Sequence, residues 1–142
     1  MNARRVYGPE TPNPSGVNTA PDDLVGWFED HPYLEVKNLR TGKVGDVSGP
    51  TFDVIVPPLP RDYSSSCGES CVPVFFVSDR ESDGGDVWLS EGFKYRVSIV
   101  HVENKTIVTI VQGRADSFDA FLPRAESVLR TVEWDPAPKQ TR

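Results

Sequence analysis

Cys67 and Cys71 are the only cysteines of the chain, separated by three residues in Cys67-Gly68-Glu69-Ser70-Cys71. Thiols this close can join if the chain folds back at Gly68, and closing so short a ring is worth about 2 kcal/mol in the chain-entropy picture. A disulfide there implies an oxidising, extracytoplasmic setting. Other cysteine chemistries fit less well. Thioredoxin-type redox pairs use two intervening residues at a helix N-terminus, whereas this pair runs into Val72-Pro73. A closed zinc site would need two further ligands, and the only histidines are His31 and His101.

A second chemistry lies in the acidic stretch Asp79-Arg80-Glu81-Ser82-Asp83-Gly84, followed by Asp86. Calcium takes about six to eight oxygen ligands, and alternating acids that end in a glycine turn can supply several from one loop. Asp79, Glu81, Asp83 and Asp86 are therefore candidate calcium ligands, and calcium is the only cofactor the sequence raises. The match is partial: Glu81 replaces a shorter side chain, Ser90 stands where the closing acid belongs, with Glu91 one step late, and the flanks read as strands. The stretch therefore reads first as a solvated acidic hairpin loop that keeps an edge soluble, with no cofactor, and a calcium site is the alternative.

Hydrolysis would need a serine, a histidine and an acid brought together in space. Ser64, Ser65, Ser66, His31 and His101 offer the types, but there is no G-x-S-x-G elbow. His31 reads as a helix-closing residue and His101 as a strand-end residue beside Glu103. Asp22, Asp23, Glu29 and Asp30 fall on the polar side of a helix, where acids are ordinary surface groups rather than a glycosidase pair. No catalytic residue is assigned. Trp27, Tyr33, Trp88 and Phe93 are the candidate ligand-contacting aromatics. Trp88 and Phe93 flank the turn Ser90-Glu91-Gly92 and are the pair expected at the surface. A cleft is expected between the first helix, the cysteine loop and the Trp88 turn.

The elements that must position these groups follow from periodicity. Thr19-Ala20-Pro21-Asp22 supplies a capping hydroxyl, and Leu24, Trp27 and Phe28 recur at helical spacing until Pro32 forces the chain out of the helix. Leu34 to Val56 alternates and is spaced by glycines, which predicts short strands joined by turns. Val72 to Val77 and Val87 to Leu89 read as compact strands. Tyr95 to His101 and Ile107 to Val111, on either side of Glu103-Asn104-Lys105, make the clearest hairpin. Phe118, Phe121, Leu122, Ala125, Val128, Leu129 and Val132 form one apolar face of a final helix, which Pro123 kinks or starts. Trp134 follows as a lid. Residues 1–20, rich in proline and glycine, read as a flexible linker; 21–135 as a single domain; 136–142 as a flexible tail. The expected fold is α+β: about six mostly antiparallel strands in one sheet, with the N- and C-terminal helices packed on one face.

Composition bounds what such a domain can do. The 142 residues carry 15 Lys and Arg against 21 Asp and Glu, for a formal net charge of −6. An acidic chain without a basic cluster in sequence is not a nucleic-acid binder. Apolar runs are only a few residues long, so no membrane span is expected, and Met1 to Arg5 has no apolar run behind its arginines, so no signal peptide is read within these residues.

The segments Asp23 to Pro32, Val44-Gly45-Asp46-Val47-Ser48-Gly49, and Phe118 to Trp134 resemble an uncharacterised domain of actinobacterial cell-envelope proteins. More distantly, the layout is similar to the PsbP-like fold. The resemblance implies an antiparallel sheet covered by helices, a binding or assembly role, and tethering at the membrane through an N-terminal anchor. It implies no catalytic residue. The sequence thus points to a non-enzymatic extracytoplasmic binding or interaction domain with a protein or small-molecule partner. The alternative is a small hydrolase or metal-dependent enzyme using the acidic loop or a spatial serine and histidine.

Overall fold

Strand-forming residues dominate, and the turns between them are set by residues that accept a left-handed backbone. A computed structural model describes residues 1–9, 16–76 and 86–134. Its elements in chain order are β1 (Arg5–Tyr7), β2 (Val17–Thr19), α1 (Leu24–Glu29), β3 (Glu35–Val44), β4 (Val47–Ile55), β5 (Cys71–Phe76), β6 (Asp86–Ser90), β7 (Phe93–Val102), β8 (Lys105–Arg114) and α2 (Phe118–Arg130). The protein is α+β. The strands form two antiparallel four-stranded sheets, ordered β3-β4-β7-β8 and β2-β1-β5-β6, rather than the one six-stranded sheet expected.

Two features break the single sheet. After β4, the segment 56–70 carries the chain away, and Tyr63 pins it by donating its hydroxyl to the Cys71 carbonyl at 2.9 Å. After β6, the tight turn at Glu91-Gly92, with Gly92 at φ +82°, sends the chain back into β7 of the other sheet. Pro73 lies in a central strand, a position that ordinarily excludes proline. It is tolerated because the β5–β6 register shifts between Pro73 and Phe75, and β1 pairs only with Phe75 and Phe76.

The segment read as a flexible linker contributes structure at both of its ends. Met1 to Ala3 pairs with the edge of β8, through Ala3 N–H to the Thr106 carbonyl at 3.0 Å and Val108 N–H to the Met1 carbonyl at 2.8 Å. Arg5 and Val6 then pair with β5, so one short stretch of chain laces the two sheets together. Ala3, Val6 and Tyr7 are buried. Their burial outweighs the ordering entropy that the prolines and glycines around them signal.

The core lies between the sheets. Phe52, Val54, Tyr95, Val97, Ile99 and Val108 face inward from one sheet and Val6, Val72, Val74, Phe75 and Leu89 from the other. Helix α1 closes this core: Phe28 is fully buried, with ring centroids 5.2 Å from Phe52 and 5.8 Å from Phe75. Its N-cap is Asp23, whose carboxylate accepts from Gly26 N–H at 2.9 Å, and not the Thr19 suggested by sequence.

Helix α2 lies on the opposite face of the β3-β4-β7-β8 sheet, against Lys94, Arg96 and Gly113. The two helices therefore do not share a face as expected. Within α2, Phe118 is fully buried while Val128 is 66% exposed, so the apolar stripe is only partly used. The hairpin turn between β3 and β4 docks on the helix end: Gly45 donates to the Leu129 carbonyl at 2.9 Å, and Trp134 Nε1 to the Val44 carbonyl at 3.1 Å. Gly45 has φ +60°, and a side chain there would collide with the Val132 carbonyl. These contacts satisfy a carbonyl that a helix C-terminus otherwise leaves open.

Candidate functional site

Two charges in the middle of apolar strands set the site. Asp53 stands between Phe52 and Val54, and Arg96 between Tyr95 and Val97; strand alternation turns both away from the core. The β4–β7 register places them directly opposite each other. Arg96 is held as a fork: Nε donates to Asp53 Oδ1 at 2.7 Å and Nη2 to Oδ2 at 3.1 Å. Its remaining nitrogen, Nη1, donates to Glu126 Oε1 of α2 at 2.5 Å. Asn38 adds an amide donor to Asp53 at 3.0 Å. It reaches there because β3 bulges between Lys37 and Arg40, with Asn38 in the left-handed region at φ +58°.

Burial alone would raise the Asp53 carboxyl, but the hydrogen bonds from Arg96 and Asn38, with the charges of Arg96 and Lys94, outweigh it and hold its pKa below the ordinary value. Burial likewise opposes the Arg96 charge, and Asp53 and Glu126 reverse that effect and raise its pKa.

Beside this network, α2 and the sheet leave a cleft of about 310 Å³. Its floor is Gly42, Thr51 and Ser98. Thr51 and Ser98 are paired across β4 and β7, both buried, with their hydroxyls 2.9 Å apart. Gly42 keeps the floor open, because a Cβ at that position would overlap the Thr51 hydroxyl. The rim carries Arg40 and Lys43 from β3 and Arg130 from the last turn of α2. Ser98 also pairs with Thr109 of β8, whose hydroxyl is buried and has no hydrogen-bond partner among the described residues. Three hydroxyls thus cross the sheet in a row on the face that α2 covers.

The residues singled out by sequence lie elsewhere. Cys67 and Cys71 are joined in a disulfide, with the backbone reversing at Gly68 (φ +123°). Ser65 completes the knot, its hydroxyl 3.0 Å from the Gly68 carbonyl and 3.1 Å from that of Cys71. Trp27 packs against Phe28, His31 and Phe75, and Tyr33 is buried against Tyr63 at 4.8 Å between centroids. Both serve the core. Trp88 is 49% exposed opposite Pro73, and Phe93 leans on Tyr95. Among the described residues, no ring contact joins Trp27 or Tyr33 to Trp88 or Phe93.

Of the candidate calcium ligands, Asp79, Glu81 and Asp83 lie outside the described residues. Asp86 accepts a hydrogen bond from the Tyr7 hydroxyl at 2.6 Å. Burial, then the Asp86 hydrogen bond and charge, push the Tyr7 pKa up to about 12. Glu91 accepts from Leu59 N–H at 2.8 Å. Among the described residues, no three His, Cys, Asp or Glu side chains are grouped to hold a metal ion.

His31 is buried, and its Nδ1 accepts the Tyr33 N–H at 3.1 Å. Desolvation lowers its pKa to about 4, so at neutral pH the ring is uncharged with its proton on Nε2. Among the described residues, that nitrogen and the Tyr33 hydroxyl have no hydrogen-bond partner. His101 is exposed and sits 3.2 Å from the Thr106 hydroxyl. Neither histidine is hydrogen-bonded to a serine among the described residues.

The cleft and its ion network escape a reading of local sequence. The available signal is a charged residue in the centre of each of two apolar strands, but joining the two requires knowing that β4 and β7 are neighbours. No helix among the described residues is long and apolar enough to cross a membrane. Compared with protein families, with characterised proteins and with solved structures, the chain matches none.

Proposed function

We propose that the protein is a non-enzymatic binding domain of the extracytoplasmic space, and that its ligand sits in the cleft between α2 and the β3-β4-β7-β8 sheet. The observation that carries this reading is the cleft itself. Its volume of about 310 Å³ is that of a site for a small molecule. Its walls belong to a strand pair and a helix locked together by the Asp53–Arg96–Glu126 network, so its shape is held before any ligand arrives.

The compartment rests on the Cys67–Cys71 disulfide, since such bonds persist where thiols are not kept reduced. The role at the cell envelope follows the resemblance of the helical and glycine-turn segments to cell-envelope domains.

Thermal unfolding in the presence of a neutral hexose, a dipeptide and a phosphate ester tests the reading. At least one should raise the midpoint in a saturable way, and Arg130→Trp, which sets a bulky ring at the rim, should abolish that rise. A midpoint unmoved by all three, or a rise unaffected by Arg130→Trp, contradicts it.

A further inference from the structure

The geometry points to a phosphate-type dianion, free or carried on a small polar molecule, as the group this cleft binds. The inference deepens the reading of the cleft as a ligand site and rests on it. Four cations line the cleft, Arg40, Lys43, Arg96 and Arg130, against Glu126 and the Asp53 carboxylate behind Arg96. The local balance is positive by two in a chain whose net charge is −6. A dianion neutralises that excess.

The cations are not equivalent. Arg96 is consumed by its two carboxylates and serves to hold the walls. Arg40 is half committed, donating to the Asn38 carbonyl at 3.1 Å with its other nitrogen 3.9 Å from Glu126. Lys43 and Arg130 are exposed, and among the described residues neither has an ion pair or side-chain hydrogen bond. Lys43, next to Gly42 on the edge strand β3, and Arg130, in the last turn of α2, are thus the two cations of the lining that no acid engages, and both are available to an anion.

The floor adds neutral donors. Each hydroxyl carries one proton, and the Thr51–Ser98 pair uses one of its two, which leaves an O–H to donate to a ligand oxygen. Two carbonyls at the C-terminal end of α2 are already supplied with donors and do not take up those of the cleft. The Leu129 carbonyl accepts from Gly45 N–H, and the Val128 carbonyl accepts from Thr131 N–H and hydroxyl. An apolar ligand would leave these donors and cations without partners.

Isothermal titration calorimetry at fixed ionic strength, with inorganic phosphate in one arm, glycerol phosphate in a second and a neutral hexose in a third, tests the inference. Lys43→Gln and Arg130→Gln alter exposed side chains and leave the core untouched, so folding is preserved. The expected result is saturable binding of one ligand per chain in at least one phosphate arm, weakened about tenfold or more by either substitution and by added salt. Similar affinity in both phosphate arms identifies the free ion as the ligand, and a clear preference for the ester identifies a phosphate-bearing molecule. Absence of saturable phosphate binding, or variants that bind as tightly as the parent, overturns the inference. Hexose binding that is lost in Arg130→Trp, with neither phosphate bound, overturns the anion while leaving the cleft as a binding site. Silence in all three arms removes both.

Discussion

At the scale of single residues, the chemistry lies in groups whose surroundings decide their charge. His31 is the clearest. Its folded-state pKa of about 4 lies below the ordinary value of 6.5, so the unfolded chain binds a proton more readily. The stability conferred by the neutral ring is full above pH 6.5 and falls as the pH drops from there toward 4, by on the order of 3 kcal/mol. His31→Asn keeps an acceptor for the Tyr33 N–H but cannot titrate. Urea unfolding at stepped pH should therefore show a loss across that window in the parent and a flatter profile in the variant. The cysteine pair was legible because its spacing admits few geometries. Trp27 and Tyr33 pack against Phe75 and Tyr63, and sequence alone does not reveal this, since an aromatic at helix spacing looks the same whether it lines a cleft or fills the core.

At the scale of elements, α2 is fixed to its sheet more by charge and by its two ends than by its apolar stripe. Phe118 anchors the start, the Gly45 and Trp134 hydrogen bonds anchor the end, and Arg96–Glu126 joins the middle. Arg96→Ala would leave Asp53 buried without its main partner, at a cost of about 3 to 5 kcal/mol. Glu126→Gln leaves the Asp53–Arg96 fork intact and should cost much less. Denaturant midpoints of the two variants give the comparison, and equal losses would show that the network is not centred on Asp53. The helix itself was legible from its periodicity, and so was the β7–β8 hairpin from its alternation and its Glu103 turn, where φ is +55°. The cap of α1 was not, because the Thr19-Ala20-Pro21-Asp22 pattern points upstream of Asp23, the residue that caps the helix where it starts at Leu24.

At the scale of the whole molecule, the decisive feature is that two sheets enclose one core and the N-terminal stretch pairs with both of them. Proline and glycine in residues 1–20 read as a linker, yet Ala3, Val6 and Tyr7 are buried and Met1 to Tyr7 pairs with both sheets. Local composition misses this because a short strand needs few apolar residues when edges of existing sheets are waiting for it. The fold class was legible, whereas the division into two sheets and the placing of the helices on opposite faces depend on strand order, which no local pattern carries. The same strand order creates the cleft by setting Thr51 beside Ser98 and Asp53 beside Arg96. The most direct test of the cleft as the ligand site is a map of backbone amide shifts by nuclear magnetic resonance, with the protein titrated by glycerol phosphate and by a neutral hexose. The largest changes should fall in residues 40–43, 96–98 and 126–130. Changes centred instead on residues 27–33 or 86–93, or none with either compound at saturating concentration, would contradict it.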